Sequence, residues 1–381
     1  MSRVIDEHRR YLRDRARVDA FDRAIREVVQ PGNVVVDLAS GTGILGLLAC
    51  RAGARRVYAV ESTPIARLAR EIAAANGWSD RITVVRGTAA QVTLPEPADV
   101  IVSDQIGWFG VEAGIRALIA DARVRFLRPG GRLIPAAIDL VLAPLEVPTL
   151  FGRVRFWSGS PAGFDFAPAR RIADHTGYPA RLRPEQLLGS AHHAHTIDLA
   201  SARLDLIRVN ARLTCTRPGS LHGVGGWFDA RLSPAVRMTN SPIAADRISR
   251  RQVYFPIPDA VAVHAGDQID VSMRLMPEDG IITWDVTVPG TAAGPARTFR
   301  QSTLQGMLMD PADLRRTDPE YRPALTPRGA ARLSVLTLCD GRRPLHDIES
   351  GVYERHRELF ASAAEAAEFV AEVVTRYSTD G

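Results

Sequence analysis

Between Val34 and about Pro129, short β-branched runs alternate with helical stretches, and no other feature restricts the fold as strongly. The runs are "VVVDLA", "RVYAVE", "ITVVRG" and "ADVIVSD". The stretches "ILGLLACRAGA" and "PIARLAREIAAANG" separate the first three and are helical in period and length. The second closes at Asn76-Gly77, and a short loop joins the third run to the fourth. Strands separated by helices imply a parallel sheet with helices on both faces, because a parallel neighbour requires a long crossover. Ahead of this region, residues 4–29 space Tyr11, Leu12, Val18, Phe21, Ile25, Val28 and Val29 as a helix does, until "QPGN" stops it. "RPGGRLIP", Arg128 to Pro135, reads as a turn into a later strand.

After about Ala143 the texture changes. Residues 196–230 and 250–290 alternate apolar and polar positions in the manner of antiparallel strands, as in "QVYFPI", "QIDVSMRLM" and "ITWDVTV". Residues 157–190, between the two textures, are irregular and rich in Pro and Gly. Near Arg300 helical patterns return, and "SAAE" offers a capping box. The expected organisation is an α/β domain over 1–143, an antiparallel β-rich domain over 144–299, and a small helical module over 300–381.

With 381 residues, 46% of them apolar, the chain can bury two or three cores. Every apolar run falls short of the roughly 20 residues that span a bilayer. The N-terminus lacks the apolar stretch and cleavage site of a signal peptide. Cys50, Cys215 and Cys339 are scattered and suggest neither disulfides nor zinc, so a cytoplasmic protein is expected. All 48 basic residues are Arg, interleaved with Asp and Glu to a net charge of +5. Such dispersal argues against nucleic acid as a partner. His192, His193 and His195 in "AHHAHT" alternate faces with no carboxylate or Cys beside them in sequence, so no metal site is expected. His175 is expected at the surface.

The stretch "VVVDLASGTGILGLL" reads as strand, tight turn and helix. Gly41 and Gly43 let the backbone approach a ligand, and the helix N-terminus behind them favours polar or anionic groups. Glu61 ends the next strand, where an acid can take both hydroxyls of a ribose. Gly46 also fits the third glycine of a dinucleotide fingerprint, so spacing alone leaves that alternative open.

The run "VVVDLASGTGILGLLACRAGARRVYAVE" resembles the first two motifs of S-adenosylmethionine-dependent class I methyltransferases in the style of the protein arginine methyltransferases. Ala39 replaces the first glycine of that motif. "YLRDRARVDAF" resembles the family's N-terminal helix, "VRGTAAQVTLP" its third-strand motif, and "RFLRPGGRLIP" the segment after its catalytic loop. "GWFDARLS" and "AVHAGDQI" resemble its β-barrel. The likeness covers roughly residues 5–290. It implies a Rossmann-like domain followed by a barrel, with S-adenosylmethionine as cofactor. Arg17 would hold the cofactor carboxylate, Asp37, Gly41, Gly43 and Glu61 the turn and ribose, and Ala90 takes the place of an adenine-contacting Glu.

The loop "DQIGWFGVE" is similar to the family's hairpin that carries two glutamates around a substrate guanidinium. Asp104 falls on the first and Glu112 on the second, one residue closer together than the family spaces them. These two would hold and deprotonate the substrate, with Trp108 and Phe109 excluding water around it. "RISRRQVYF" stands at the family's Thr-His-Trp loop with Ile248, Ser249 and Arg250 instead. That departure, and Asp for Glu, point to a nitrogen other than a simple arginine tail. Residues 163–190 match the family's dimerisation arm in position and length, which implies a homodimer. "LSVLTLCDGRRPLHDIESGVYERH" and "EAAEFVAEVV" look like the helical part of the PqqD-like fold, which recognises leader peptides. The resemblance thus implies methylation of a nitrogen on a peptide, with a leader-bearing precursor as partner. Two alternatives are a small-molecule N- or O-methyltransferase and a scaffold that keeps the cofactor pocket.

Overall fold

The computed structural model describes residues 3–290, 295–316 and 318–378. They divide into two compact units, Met1–Met307 and Leu308–Gly381.

The first unit opens with helices α1 (Arg3–Arg13) and α2 (Arg15–Val28), the latter capped by Asp14 accepting the Arg17 N–H. Strand β1 (Val34–Leu38), α3 (Ile44–Arg51), β2 (Arg56–Glu61), α4 (Ile65–Ala75) and β3 (Ile82–Arg86) follow in alternation. Strand β4 (Ala98–Ser103), α5 (Ile115–Arg125) and β5 (Leu127–Ile134) complete the layer. The five strands form one parallel sheet in the order β3-β2-β1-β4-β5. Strand β1 is buried along its whole length, as the unbroken apolar run requires of a strand covered on both faces. The turn expected at Arg128 instead lies inside β5, where its pairing with β4 shifts register. The order reverses between β1 and β4. A crevice therefore opens beyond their carboxyl ends, where α/β sheets bind ligands.

Strand β6 (Ala137–Leu145) leads into antiparallel architecture. The Pro- and Gly-rich stretch that follows is less irregular than its composition suggests: α6 (Pro148–Arg155) and α7 (Ala167–Asp174) each begin with a proline in their first turn. After β7 (Tyr178–Ala180), β8 (His192–Asp198) and β9 (Ile207–Thr214) come β10 (Gly219–Arg231), β11 (Arg237–Thr239) and β12 (Gln252–Val263). Strands β13 (Gln268–Met276), β14 (Ile281–Val288) and β15 (Arg297–Ser302) end the unit's sheets. One sheet runs β7-β12-β10-β6-β8 with β11 on β10, and the other β15-β14-β13-β9. They form a barrel-like domain whose inner residues share one core with the parallel sheet. Phe255 packs 5.3 Å from Trp284 across the two antiparallel sheets, and the Trp284 indole N–H donates to the Pro256 carbonyl at 2.8 Å. Ser233 binds Glu27 at 2.6 Å and ties α2 to the antiparallel part.

The second unit contains α8 (Pro311–Arg315), α9 (Pro327–Leu338), α10 (Leu345–Arg355) and α11 (Ala363–Tyr377). Ala331, Val335, Val352, Phe369 and Val370 centre its own small core. Half of the expected capping box forms at α11: Ser362 accepts the Glu365 N–H, whereas the Glu365 carboxylate reaches one residue further back, to the N–H of Ala361, instead of that of Ser362. Among the described residues, no helix is long and apolar enough to cross a membrane.

Candidate active site

Strand register sets the site. Leu38 pairs with Val60 on one side and Ser103 on the other, so Ala39, Glu61 and Asp104 leave the sheet at one level. Three consecutive strands thereby deliver the turn and two carboxylates to one rim. The turn is tight: Ala39 has φ 53°, Gly41 55° and Gly43, the cap of α3, 80°. Glycine is at home in this left-handed region, and Ala39 is strained there by about 1–2 kcal/mol. A Cβ on Gly41 would lie 2.5 Å from Cε1 of His8, so α1 closes tightly over the turn.

Backbone amides hold the carboxylates at this end. Glu61 accepts the Gly41 N–H at 2.9 Å and the Thr63 N–H at 2.8 Å, one on each oxygen. Asp37 is fully buried and accepts the Gly46 N–H at 2.9 Å. Burial, with Glu61 and Asp104 nearby, pushes the Asp37 carboxyl up to about 7. Its other oxygen and the Ser40 hydroxyl, both buried, have no hydrogen-bond partner among the described residues.

Three cavities meet end to end here. One of about 250 Å³ runs under Val60, Ser62, Thr88 and Ala89 to Ala39 and Gln105. Ala39 and Gln105 also line a neck of about 90 Å³, beside Gly41, Thr42, Asp104 and Arg17. Arg17 and Tyr11 in turn line both the neck and an outer vestibule of about 710 Å³, which reaches Trp108, Ser249 and Arg250. A nucleoside-sized chamber and an outer chamber thus face each other across Asp104.

Side chains hold the carboxylate at the neck. Asp104 pairs with the Arg17 Nε–H and with Arg250 Nη2 at 3.1 Å, and all three side chains are nearly buried. Its second oxygen is buried without a partner among the described residues. Arg17 is further held by the Tyr11 carbonyl at 3.3 Å and stacks 5.0 Å from the Tyr11 ring. Glu112 turns back into its own loop, where its carboxylate accepts the N–H groups of Trp108, Phe109 and Val111. A side chain at Gly107 would collide with that carboxylate. Phe109 is fully buried, edge-on to Phe255 at 5.4 Å, and anchors the loop to the antiparallel core. Trp108 is half-exposed at the vestibule.

Ala90 is exposed, and its neighbours Thr88 and Ala89 line the chamber instead. His175 accepts the Ser302 N–H at 2.9 Å and fastens α7 to β15. His193 and Thr196 share a 2.8 Å hydrogen bond beside Asp139, on strand β8 at the edge of its sheet. Among the described residues, no group of three or more His, Cys, Asp or Glu could hold a metal. Sequence reasoning passed over His8, Tyr11 and Ser40. It noted Arg250 only as an unusual charge, and that charge was the available signal.

A parallel sheet in this order, with a chamber at its switch point and Asp104 at the neck beside it, has the architecture of an S-adenosylmethionine-dependent methyltransferase. Residues 22–138 match the family model "Ribosomal protein L11 methyltransferase (PrmA)", and residues 138–288 match "Arginine methyltransferase oligomerization subdomain". The chain is 32% identical to Protein arginine N-methyltransferase 6 of Danio rerio, over 65% of this chain and 74% of that one. It is 31% identical to Protein arginine N-methyltransferase PRMT10 of Oryza sativa subsp. japonica, over 70% of this chain and 79% of that one. A 30% match to Probable protein arginine N-methyltransferase 6 of Arabidopsis thaliana spans 62% of this chain but only 58% of that relative. The crystal structure of Arabidopsis thaliana Protein Arginine Methyltransferase 10 superposes with a TM-score of 0.69 at 24% identity, over 77% of this chain and 96% of that one. The Trypanosoma brucei PRMT1 enzyme-prozyme complex with AdoHcy gives 0.69 at 21%, over 77% and 97%. The chain belongs to the protein arginine methyltransferase family, and its cofactor is S-adenosylmethionine. The residues fit that cofactor. The Ser40 hydroxyl, buried and without a hydrogen-bond partner among the described residues, lines the neck together with Arg17 and Asp104, a polar lining that suits the cofactor's charged end.

Proposed function

We propose that this enzyme methylates a nitrogen, amine or guanidino, of a peptide that enters through the outer vestibule. One observation carries the reading: a buried carboxylate oxygen with no hydrogen-bond partner among the described residues, Asp104 Oδ1, stands at the neck between the two chambers. Glu61 would take the ribose, the Gly41–Gly43 turn would pass close beneath the nucleoside, and Arg17 would meet the carboxylate of the amino-acid end. S-adenosylmethionine supplies the methyl carbon, the carbon–sulfur pair staying on sulfur as the nitrogen lone pair forms the new bond. Asp104 orients that lone pair by accepting an N–H, and takes the proton the nitrogen gives up. Glu112 shapes the loop that carries Trp108 over the vestibule. Alignment of this kind contributes several kcal/mol without any metal.

The aromatic side chains Phe156, Phe164 and Phe166 lie exposed in and just before the arm expected over 163–190. They suit an apolar contact with a second copy, and so a homodimer. The second unit has its own core, as a separate leader-binding module for a ribosomally made precursor would need.

Asp104→Asn tests the reading. It should bind S-adenosylhomocysteine like the wild type by calorimetry, and lose about a hundredfold in methyl transfer to a panel of amine- and guanidine-bearing peptides. Undiminished transfer would remove Asp104 from the mechanism.

A further inference from the structure

We propose that Arg250 selects the acceptor: it fills the cation position on Asp104, so the nitrogen to be methylated arrives uncharged, on a molecule that brings a carboxylate of its own. This rests on the methyltransferase reading above and narrows its acceptor.

Asp104 Oδ2 already receives two guanidinium groups, from Arg17 and from Arg250. Arg250 is fixed from its other side, donating to the Ile106 carbonyl at 2.6 Å and lying 5.9 Å from the Phe228 ring. Its side chain is only 12% exposed. With Arg17 assigned to the cofactor carboxylate, Arg250 is the guanidinium that stays on Asp104, where a substrate cation would otherwise sit. A third cation would enter with no free carboxylate to receive its fork, since Glu112 is spent on its own loop's amides. What remains is Asp104 Oδ1, an acceptor for one N–H. An uncharged amine can donate that N–H and still keep its lone pair for the methyl carbon.

The vestibule is lined by five Arg side chains against the three carboxylates of Asp6, Glu7 and Asp14, so positive charge is in excess there. Arg10, Arg181 and Arg251 line it and pair with no carboxylate among the described residues. Its acids are engaged: Asp14 accepts both the N–H and the hydroxyl of Ser249, and Asp6 pairs with Arg9. Glu7 accepts the Tyr11 hydroxyl. A pocket lined this way attracts an anionic flank and repels a cationic one.

The test uses the full chain as wild type, R250A and R250K. Calorimetry with S-adenosylhomocysteine comes first. If the wild type does not bind it, the methyltransferase reading fails and takes this proposal with it. With binding in place, transfer of tritiated methyl from S-adenosylmethionine to Gly-Arg-Gly blocked as N-acetyl and C-amide, so that the guanidinium is its one acceptor nitrogen, should rise about tenfold or more in R250A and stay at the wild-type level in R250K. R250M, which keeps the apolar stem against Phe228, makes the same comparison if R250A does not fold. In cofactor-loaded wild type, Gly-Glu-Glu should bind about tenfold more tightly than Gly-Arg-Arg. Transfer to Gly-Arg-Gly that is unchanged or lower in the opened variant, or that rises equally in R250K, overturns the proposal. So do equal or reversed affinities for the two peptides. The methyltransferase reading survives each of these.

Discussion

The two ends of the cavity use the same charges in different ways. At the nucleoside end, Glu61 and Asp37 are held by backbone N–H groups of the turn, of α3 and of Thr63 just after β2. At the neck, Asp104 is held by the guanidinium groups of Arg17 and Arg250. Backbone donors depend on chain geometry and survive most substitutions. Side-chain donors are specific to the residue that bears them, so one replacement reassigns what the carboxylate can bind. The contrast separates an end set by chain geometry from an end set by individual side chains.

The comparison can be broken at either end. The largest effect is expected from Phe109→Ala, which leaves a cavity where the loop meets the antiparallel core and should cost about 3–5 kcal/mol in urea unfolding. If the ends are independent, the protein that remains folded should bind S-adenosylhomocysteine with unchanged affinity. A parallel loss of affinity would show that the loop supports the nucleoside end as well.

Glu61→Gln comes next. Glutamine offers one acceptor oxygen where two amides need one each, so cofactor affinity should fall about a hundredfold by calorimetry, or ~2.7 kcal/mol. Loss of less than tenfold would mean the backbone turn alone carries the site.

The effect that is smallest at any one step, because it is spread over several pH units, sharpens the picture through pH. Asp37 has its carboxyl raised from 3.8 to about 7 by burial. The folded state then binds a proton that the unfolded chain has released. This group's stabilising contribution is fully present below pH 3.8 and is lost as pH rises to about 7, at no more than about 1.4 kcal/mol per pH unit, with no further change above that. Asp37→Asn should flatten that slope in thermal melts across the same window. A slope identical in wild type and variant would assign the proton to another group.

Much of the first chamber was legible in the sequence. Alternation with two different periods identifies a parallel sheet, and in such a sheet a turn after β1 and an acid after β2 are neighbours by necessity. Ala39 already stood out as a non-glycine in the turn, and the structure puts it at positive φ. The adenine side was less legible. Attention went to Ala90, whereas Thr88 and Ala89 face the chamber, because a one-residue offset in a loop turns a side chain from cavity to solvent. Phe109 and Trp108 looked alike as loop aromatics, yet packing buries the first and leaves the second half-exposed.

The amino-acid sequence by itself determined the layered α/β domain, its glycine turn, and the carboxylates at its strand ends, because strand and helix periods are local and strand ends converge once the sheet forms. Only the tertiary structure decided what those carboxylates face. Arg250 reaches Asp104 across 146 residues from a loop of the antiparallel domain, and its arrival depends on how two sheets pack around Phe109 and Phe255. Local patterning carries no record of such a meeting, since it is the shape of a shared core that sets which distant side chain enters the neck.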